Sequence, residues 1–159
     1  MSSDQVFSLC NSAALLGWLI LAIAGRKRWA AYLTTGVILP LLLAVAYLVL
    51  LAGHWGETKG GGFGTLTAVA TLFSDRWVLL AGWIHYLCFD LFIGSWEVRD
   101  AQAHGISHWL VIPCLFLTFM FGPVGLLCYF ALRTARVRAL TLAASPPFGR
   151  GSVSASGTL

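Results

Sequence analysis

Three ionisable side chains, His85, Asp90 and Glu97, interrupt the apolar run from Trp83 to Val98. An Asp near the middle of a membrane helix costs roughly 2.5 to 3.5 kcal/mol on insertion scales, so something must offset it. Carboxyl and imidazole groups there could exchange protons with a bound molecule. A histidine beside aromatics could also be the axial ligand of a haem or chlorophyll-type tetrapyrrole. The competing reading is structural: Asp90 bonds backbone groups freed at Pro113 or Pro123 or pairs with Arg99, and His85 bonds a neighbour. His104 and His108, with Glu97 and Asp100 nearby, offer donor types that suit zinc or iron. Gly105 lies between the two histidines, however, and a wet loop is expected there, so no metal is expected.

The spacing sorts these groups on a helix. At 100° per residue, Trp83, Tyr86 and Glu97 fall within roughly 40° of Asp90, while His85 lies about 140° away. His85 and Asp90 therefore cannot bond each other along their own helix.

The elements that must carry them are membrane spans. Of 159 residues, 58% are hydrophobic and 10% charged, against roughly 25% charged in an average soluble domain. About 20 residues of helix cross the roughly 30 Å hydrocarbon layer, and four segments qualify: 6–24, 30–52, 77–96 and 109–132. The expected fold is therefore all-α, a polytopic membrane protein with four transmembrane helices. The domain occupies 1–143, and 144–159, rich in Ser, Gly and Pro without periodicity, is expected to be a disordered tail. The first apolar run has no basic leader and is long for a signal sequence, so it reads as a retained anchor.

Between the second and third spans, Gly60-Gly61-Gly62-Phe63-Gly64 lacks the Lys and Ser/Thr of a phosphate-binding loop and reads as flexible chain. Leu66, Val69, Ala70 and Phe73 follow at helical spacing, which predicts a short amphipathic helix lying in the interface or capping a cavity. Pro40 removes the helical donor for the Gly36 carbonyl, a defect that a neighbouring helix or water can repair. Pro113, Thr118, Gly122, Pro123 and Gly125 predict a bent fourth helix with a small-residue surface open to another helix or a flat ligand.

The formal charge of +4 comes from basic residues at helix ends and loops, where topology and lipid headgroups account for it. Membrane lipid is an expected partner and nucleic acid is not. Four spans divide the basic residues six against four between the two sides, which leaves orientation open; the working expectation puts both termini in the cytoplasm. Cys10, Cys88, Cys114 and Cys128 show no close pairing and read as buried free thiols.

The run Trp83-Ile84-His85-Tyr86-Leu87-Cys88-Phe89-Asp90-Leu91-Phe92-Ile93-Gly94, then Asp100-Ala101, Pro113-Cys114-Leu115 and Leu117-Thr118-Phe119-Met120-Phe121-Gly122-Pro123-Val124-Gly125, resembles the abscisic-acid-deficient-four-like family of small membrane proteins. That family is named for a plant chloroplast protein needed for neoxanthin synthesis. The resemblance implies a carotenoid-type lipid as ligand and, if it extends to chemistry, an isomerisation: an epoxide on a carotenoid end ring opens, a vinylic proton leaves and an allenic alcohol forms. No electrons are gained or lost, so no redox cofactor is implied. Hydrocarbon surroundings favour a neutral carboxylic acid, which suits proton donation. Asp90, aided by Glu97, is then the expected acid and His85 the expected base. Trp83, Tyr86, Phe89 and Trp96 would pack on the polyene, with Thr118, Gly122 and Pro123 completing the binding surface. The alternative is a non-catalytic accessory subunit of a larger membrane or photosynthetic complex, binding carotenoid or a tetrapyrrole through His85; a larger membrane complex or a homo-oligomer is the expected protein partner. The apolar run begins within about five residues, with no Arg- and Ser-rich transit segment, so a bacterial inner membrane is the expected location.

Overall fold

The computed structural model describes residues 1–54, 56 and 58–144, and among them all regular structure is helical. The tail expected beyond Ala144 and the loop residue Glu57 lie outside the described residues. Among the described residues three helices are long and apolar enough to cross a membrane: α1 (Ser3–Ala24), α2 (Ala30–His54) and α4 (Arg76–Ala103). The short helix α3 (Leu66–Leu72) precedes α4, and α5 (His108–Phe121) and α6 (Pro123–Ala144) follow it.

Helix α1 starts on a capping box, in which the Ser2 side chain accepts from the Gln5 amide while the Gln5 side chain accepts from the Ser2 amide. Its buried stripe, Cys10, Ala14, Gly17, Trp18 and Leu21, has helical spacing and faces α4. Gly17 is needed at that contact, since a Cβ there would lie 2.8 Å from Leu91 Cδ2. After the Arg26–Arg28 turn, α2 is wound as a π-helix over Ala30–Ile38 and as an α-helix over Leu39–His54. The Leu39 amide donates to the Thr34 carbonyl, five residues back. Pro40 has no amide proton and its ring crowds the carbonyl four residues earlier; a wider winding just ahead of it relieves that clash. The chain itself thus accommodates the proline, and the Cys88 thiol donates to the Pro40 carbonyl at 3.2 Å.

Helix α4 is the axis of the bundle and packs against α1, both parts of α2, α5 and α6. Asp75 caps it by accepting from the Trp77 and Val78 amides. Its buried residues run from Val78 to Ala101, so it is enclosed where α1 and α2 each keep an outward apolar face.

The single span expected over 109–132 is not continuous. Helix α5 ends at Phe121, Gly122 takes φ 45°, and α6 begins at Pro123. Pro123 cannot donate to the α5 ladder and the left-handed Gly122 turns the chain back. Thr118 on α5 lies against Glu97 of α4, and beyond the turn Tyr129 and Arg133 return to Asp100 near the C-terminus of α4. Helices α5 and α6 are therefore an antiparallel hairpin, and at 14 residues α5 is about 21 Å long, too short to cross the hydrocarbon layer. The reversal also turns Cys128 outward, so of the four thiols Cys10 and Cys114 are buried, Cys88 is half-buried and Cys128 is exposed.

This hairpin changes the sidedness of the charges. Arg26, Lys27, Arg28, Arg133, Arg136 and Arg138 fall at the end of the bundle that holds the α4–α5 turn, while Lys59 and Arg76 fall at the other with the N-terminus. The two ends of the described chain thus lie at opposite ends of the bundle, unlike the arrangement expected from four spans. By the bias of basic residues toward the cytoplasm, the Arg-rich end is expected inside. In a cysteine-free background expressed in bacteria, an impermeant thiol reagent should label Ser3→Cys in intact cells and reach Ala135→Cys only after lysis. The hairpin itself depends on Gly125, where a Cβ would stand 2.1 Å from the Thr118 amide nitrogen and Oγ1. Gly125→Val should lower thermal stability in detergent by about 1–3 kcal/mol or more, whereas Gly53→Ala, which meets nothing within 4 Å, should leave it near wild type.

Candidate functional site

The carboxyl stripe of α4 faces the hairpin. Gly94 opens that side of the helix to the Trp18 ring and to Leu115. One turn on, the fully buried Glu97 accepts from Thr118 Oγ1 at 2.9 Å through Oε1. Nearer the N-terminus of α4, the Tyr86 hydroxyl donates to the Phe119 carbonyl at 3.3 Å. Between them sits Asp90, whose carboxyl lies where a Cβ on Gly122 would be 3.2 Å from Oδ1. Asp90 therefore abuts the hairpin tip at the start of α6. The remaining oxygens, Asp90 Oδ2 and Glu97 Oε2, are buried and have no hydrogen-bond partner within the described chain.

A second polar cluster closes the hairpin at its root. Asp100 accepts from the Tyr129 hydroxyl at 2.6 Å and from Arg133 Nε at 2.7 Å. Arg133 Nη2 also meets His104 Nε2 at 3.0 Å. A guanidinium cannot accept, so Nε2 must, and the proton resides on Nδ1, which donates to the Asp100 carbonyl at 2.8 Å. His108 Nε2 meets the Ala22 carbonyl of α1 at 3.0 Å. The two histidines are thus committed to different partners, and among the described residues no three His, Cys, Asp or Glu side chains are grouped to hold a metal ion.

His85 belongs elsewhere. Its ring packs 4.7 Å from Phe89 and 5.7 Å from Tyr47 of α2, and it lines a cavity of about 370 Å³ between α2, α4 and the loop that carries α3. Tyr47, His54, Phe63, Phe73 and Gly82 complete the walls that matter chemically. His54 stacks on Trp77 at 5.0 Å with the rings 5° from parallel. Gly82 makes room for the Phe73 ring, which a Cβ would meet at 2.4 Å. Phe73, the residue just after α3, thus closes the cavity on the loop side.

The structure brings Asp90, Glu97, Tyr86, Thr118 and Gly122 to one face, and places His85 with Phe89 on another. The expected pairing of His85 with Asp90 on a single ligand ring does not match this geometry: five residues of helix turn them toward different neighbours. Thr118 and Gly122 are buried, and the small-residue surface is occupied by the chain's own packing. Trp83 donates to Asn11 Oδ1 at 2.9 Å and lies against Phe7 and Tyr86. Trp96 packs on Tyr129 and Phe130. Pro123 is exposed at the tip. Two features escape the sequence reading. The pairing of Asp100 with Arg133 follows only once Gly122-Pro123 is taken as a reversal instead of a bend. His54 joins His85 because the ends of α2 and the glycine loop fold over one space.

The ABA DEFICIENT 4-like family model matches residues 5–129. A curated relative, Protein ABA DEFICIENT 4, chloroplastic, of Arabidopsis thaliana, is 26% identical over 139 residues, which cover 82% of this chain and 61% of that protein. The chain thus spans less than two thirds of that relative's length. No solved structure matches it. The family match takes in α1 to α5, the turn at Gly122 and α6 as far as Tyr129, and so contains both the carboxyl stripe and the cavity: the chain belongs to the ABA DEFICIENT 4-like family.

Proposed function

We propose that this protein binds a carotenoid-type lipid, with one end ring in the His85 cavity, and isomerises it by opening a ring epoxide. The observation that carries the reading is a ring-sized, largely apolar cavity at the side of the helical bundle, between α2, α4 and the loop that carries α3, lined by two imidazoles, His54 and His85. Family membership supplies the carotenoid class. The reaction needs one proton delivered to the epoxide oxygen as its C–O bond breaks and one proton removed from carbon as the allene forms. Two histidines lining one cavity can divide those roles; the proton given to oxygen and the proton taken from carbon cancel in number, and the pair is reset when the base passes its proton back to the acid through solvent. Tyr47, Phe63 and Phe73 offer ring faces to the positive charge that develops on carbon.

This assigns the acid and base to the cavity and gives Asp90 and Glu97 a different part. They hold the hairpin against α4, and α4 in turn fixes His85. The bundle would reside in what we take to be a bacterial inner membrane.

The test is pigment content and turnover of detergent-purified protein supplied with an epoxy-carotenoid. Wild type should retain carotenoid and convert it to an allenic product of the same mass. Gly82→Leu, which displaces Phe73 into the cavity, should lose the pigment. His85→Ala and His54→Ala should each slow turnover by about 10²-fold or more, with Asp90→Asn keeping bound pigment. Full turnover in both histidine variants, with loss confined to Asp90→Asn, would return the acid role to the carboxyl stripe. A Soret-type band abolished by His85→Ala would instead identify an accessory subunit that binds a tetrapyrrole, a role to which the outward-facing imidazole of His85 also lends itself.

A further inference from the structure

At the Arg-rich end of the bundle two guanidinium groups share one aromatic ring. Arg28 stands 5.6 Å and Arg99 5.4 Å from the centroid of Tyr32, and Arg99 lies 5.7 Å from that of Phe92. Arg99 reaches Tyr32 across α2 at Gly36, where a Cβ would be 3.2 Å from its Nη1. The ion pairs found among the described residues join Arg76 to Asp4 and Arg133 to Asp100, so neither Arg28 nor Arg99 is matched to a carboxylate there. Two like charges gathered on one ring repel each other unless an anion lies near both. The ring itself is outward-facing, with Tyr32 45% and the neighbouring Trp29 53% exposed. Trp and Tyr exposed beside a basic turn are the residues that settle at the headgroup level of a bilayer. The guanidinium fork matches phosphate oxygens in pairs.

We propose that Arg28, Tyr32 and Arg99 form a binding site for the phosphate of an anionic phospholipid headgroup. The aromatic ring holds the two guanidiniums in place, and the phosphodiester neutralises them. Arg26 and Lys27, in the same turn, contribute to the general field without joining the site. The proposal is independent of the cavity and its chemistry.

Native mass spectrometry of the purified full chain tests it, with phosphatidylglycerol and phosphatidylcholine of equal chain length as probes. Wild type should retain phosphatidylglycerol in preference to phosphatidylcholine. Arg28→Gln with Arg99→Gln should weaken that retention about tenfold or more, whereas Arg26→Gln with Lys27→Gln, which removes the same charge, should change it less than about threefold. Equal loss in both double variants, or unchanged retention in the first, overturns the site. Competition on wild type alone covers the case in which a variant fails to fold: millimolar inorganic phosphate should not displace the lipid. Displacement by inorganic phosphate would show a free-phosphate site instead and overturn the lipid assignment.

Discussion

A carboxyl group placed inside an apolar bundle must be given polar company, and α4 carries three of them, Asp90, Glu97 and Asp100, on or near one side. The hairpin of α5 and α6 is the answer to that constraint. It brings a hydroxyl to Glu97, a helix start to Asp90, and a hydroxyl with a guanidinium to Asp100. The Asp100 contacts depend on the reversal at Gly122, because a straight helix would carry Tyr129 and Arg133 away from Asp100. Once the hairpin occupies that side of α4, the opposite side is left for α2, and the space between them becomes the cavity with His85.

Much of this was legible in the sequence. The apolar runs locate α1, α2 and α4, and the 3.6-residue period alone separates His85 from Asp90. The short helix after the glycines was also legible, and its neighbour Phe73 does close a cavity. The reversal was harder to read, because 24 apolar residues with a Gly-Pro step fit a kinked span as well as a hairpin. What separates the two is long-range: Asp100 and Arg133 are 33 positions apart, and nothing local marks them as partners. The π-winding ahead of Pro40 was hidden for a different reason. Composition shows that a proline must be accommodated, but not which of a kink, an outside partner or a wider turn does so.

On the proposed function, structural and chemical roles are divided between opposite sides of a single helix. The carboxyl side is buried by segments of the same chain, so its polar atoms serve cohesion. The histidine side opens onto a cavity walled partly by a loop, and loops tolerate the rearrangement that a guest requires.

The hairpin also bears on how the chain is made. Thr118 leaves the ribosome 21 residues after Glu97, and Arg133 leaves 33 residues after Asp100. At about 5–20 residues per second, α4 waits roughly one to several seconds for the groups that satisfy it. An axis with three acidic side chains is a poor substrate for immediate release into lipid. Delayed release of α4 until its own hairpin arrives would let α4, α5 and α6 enter the bilayer as one unit after α1 and α2.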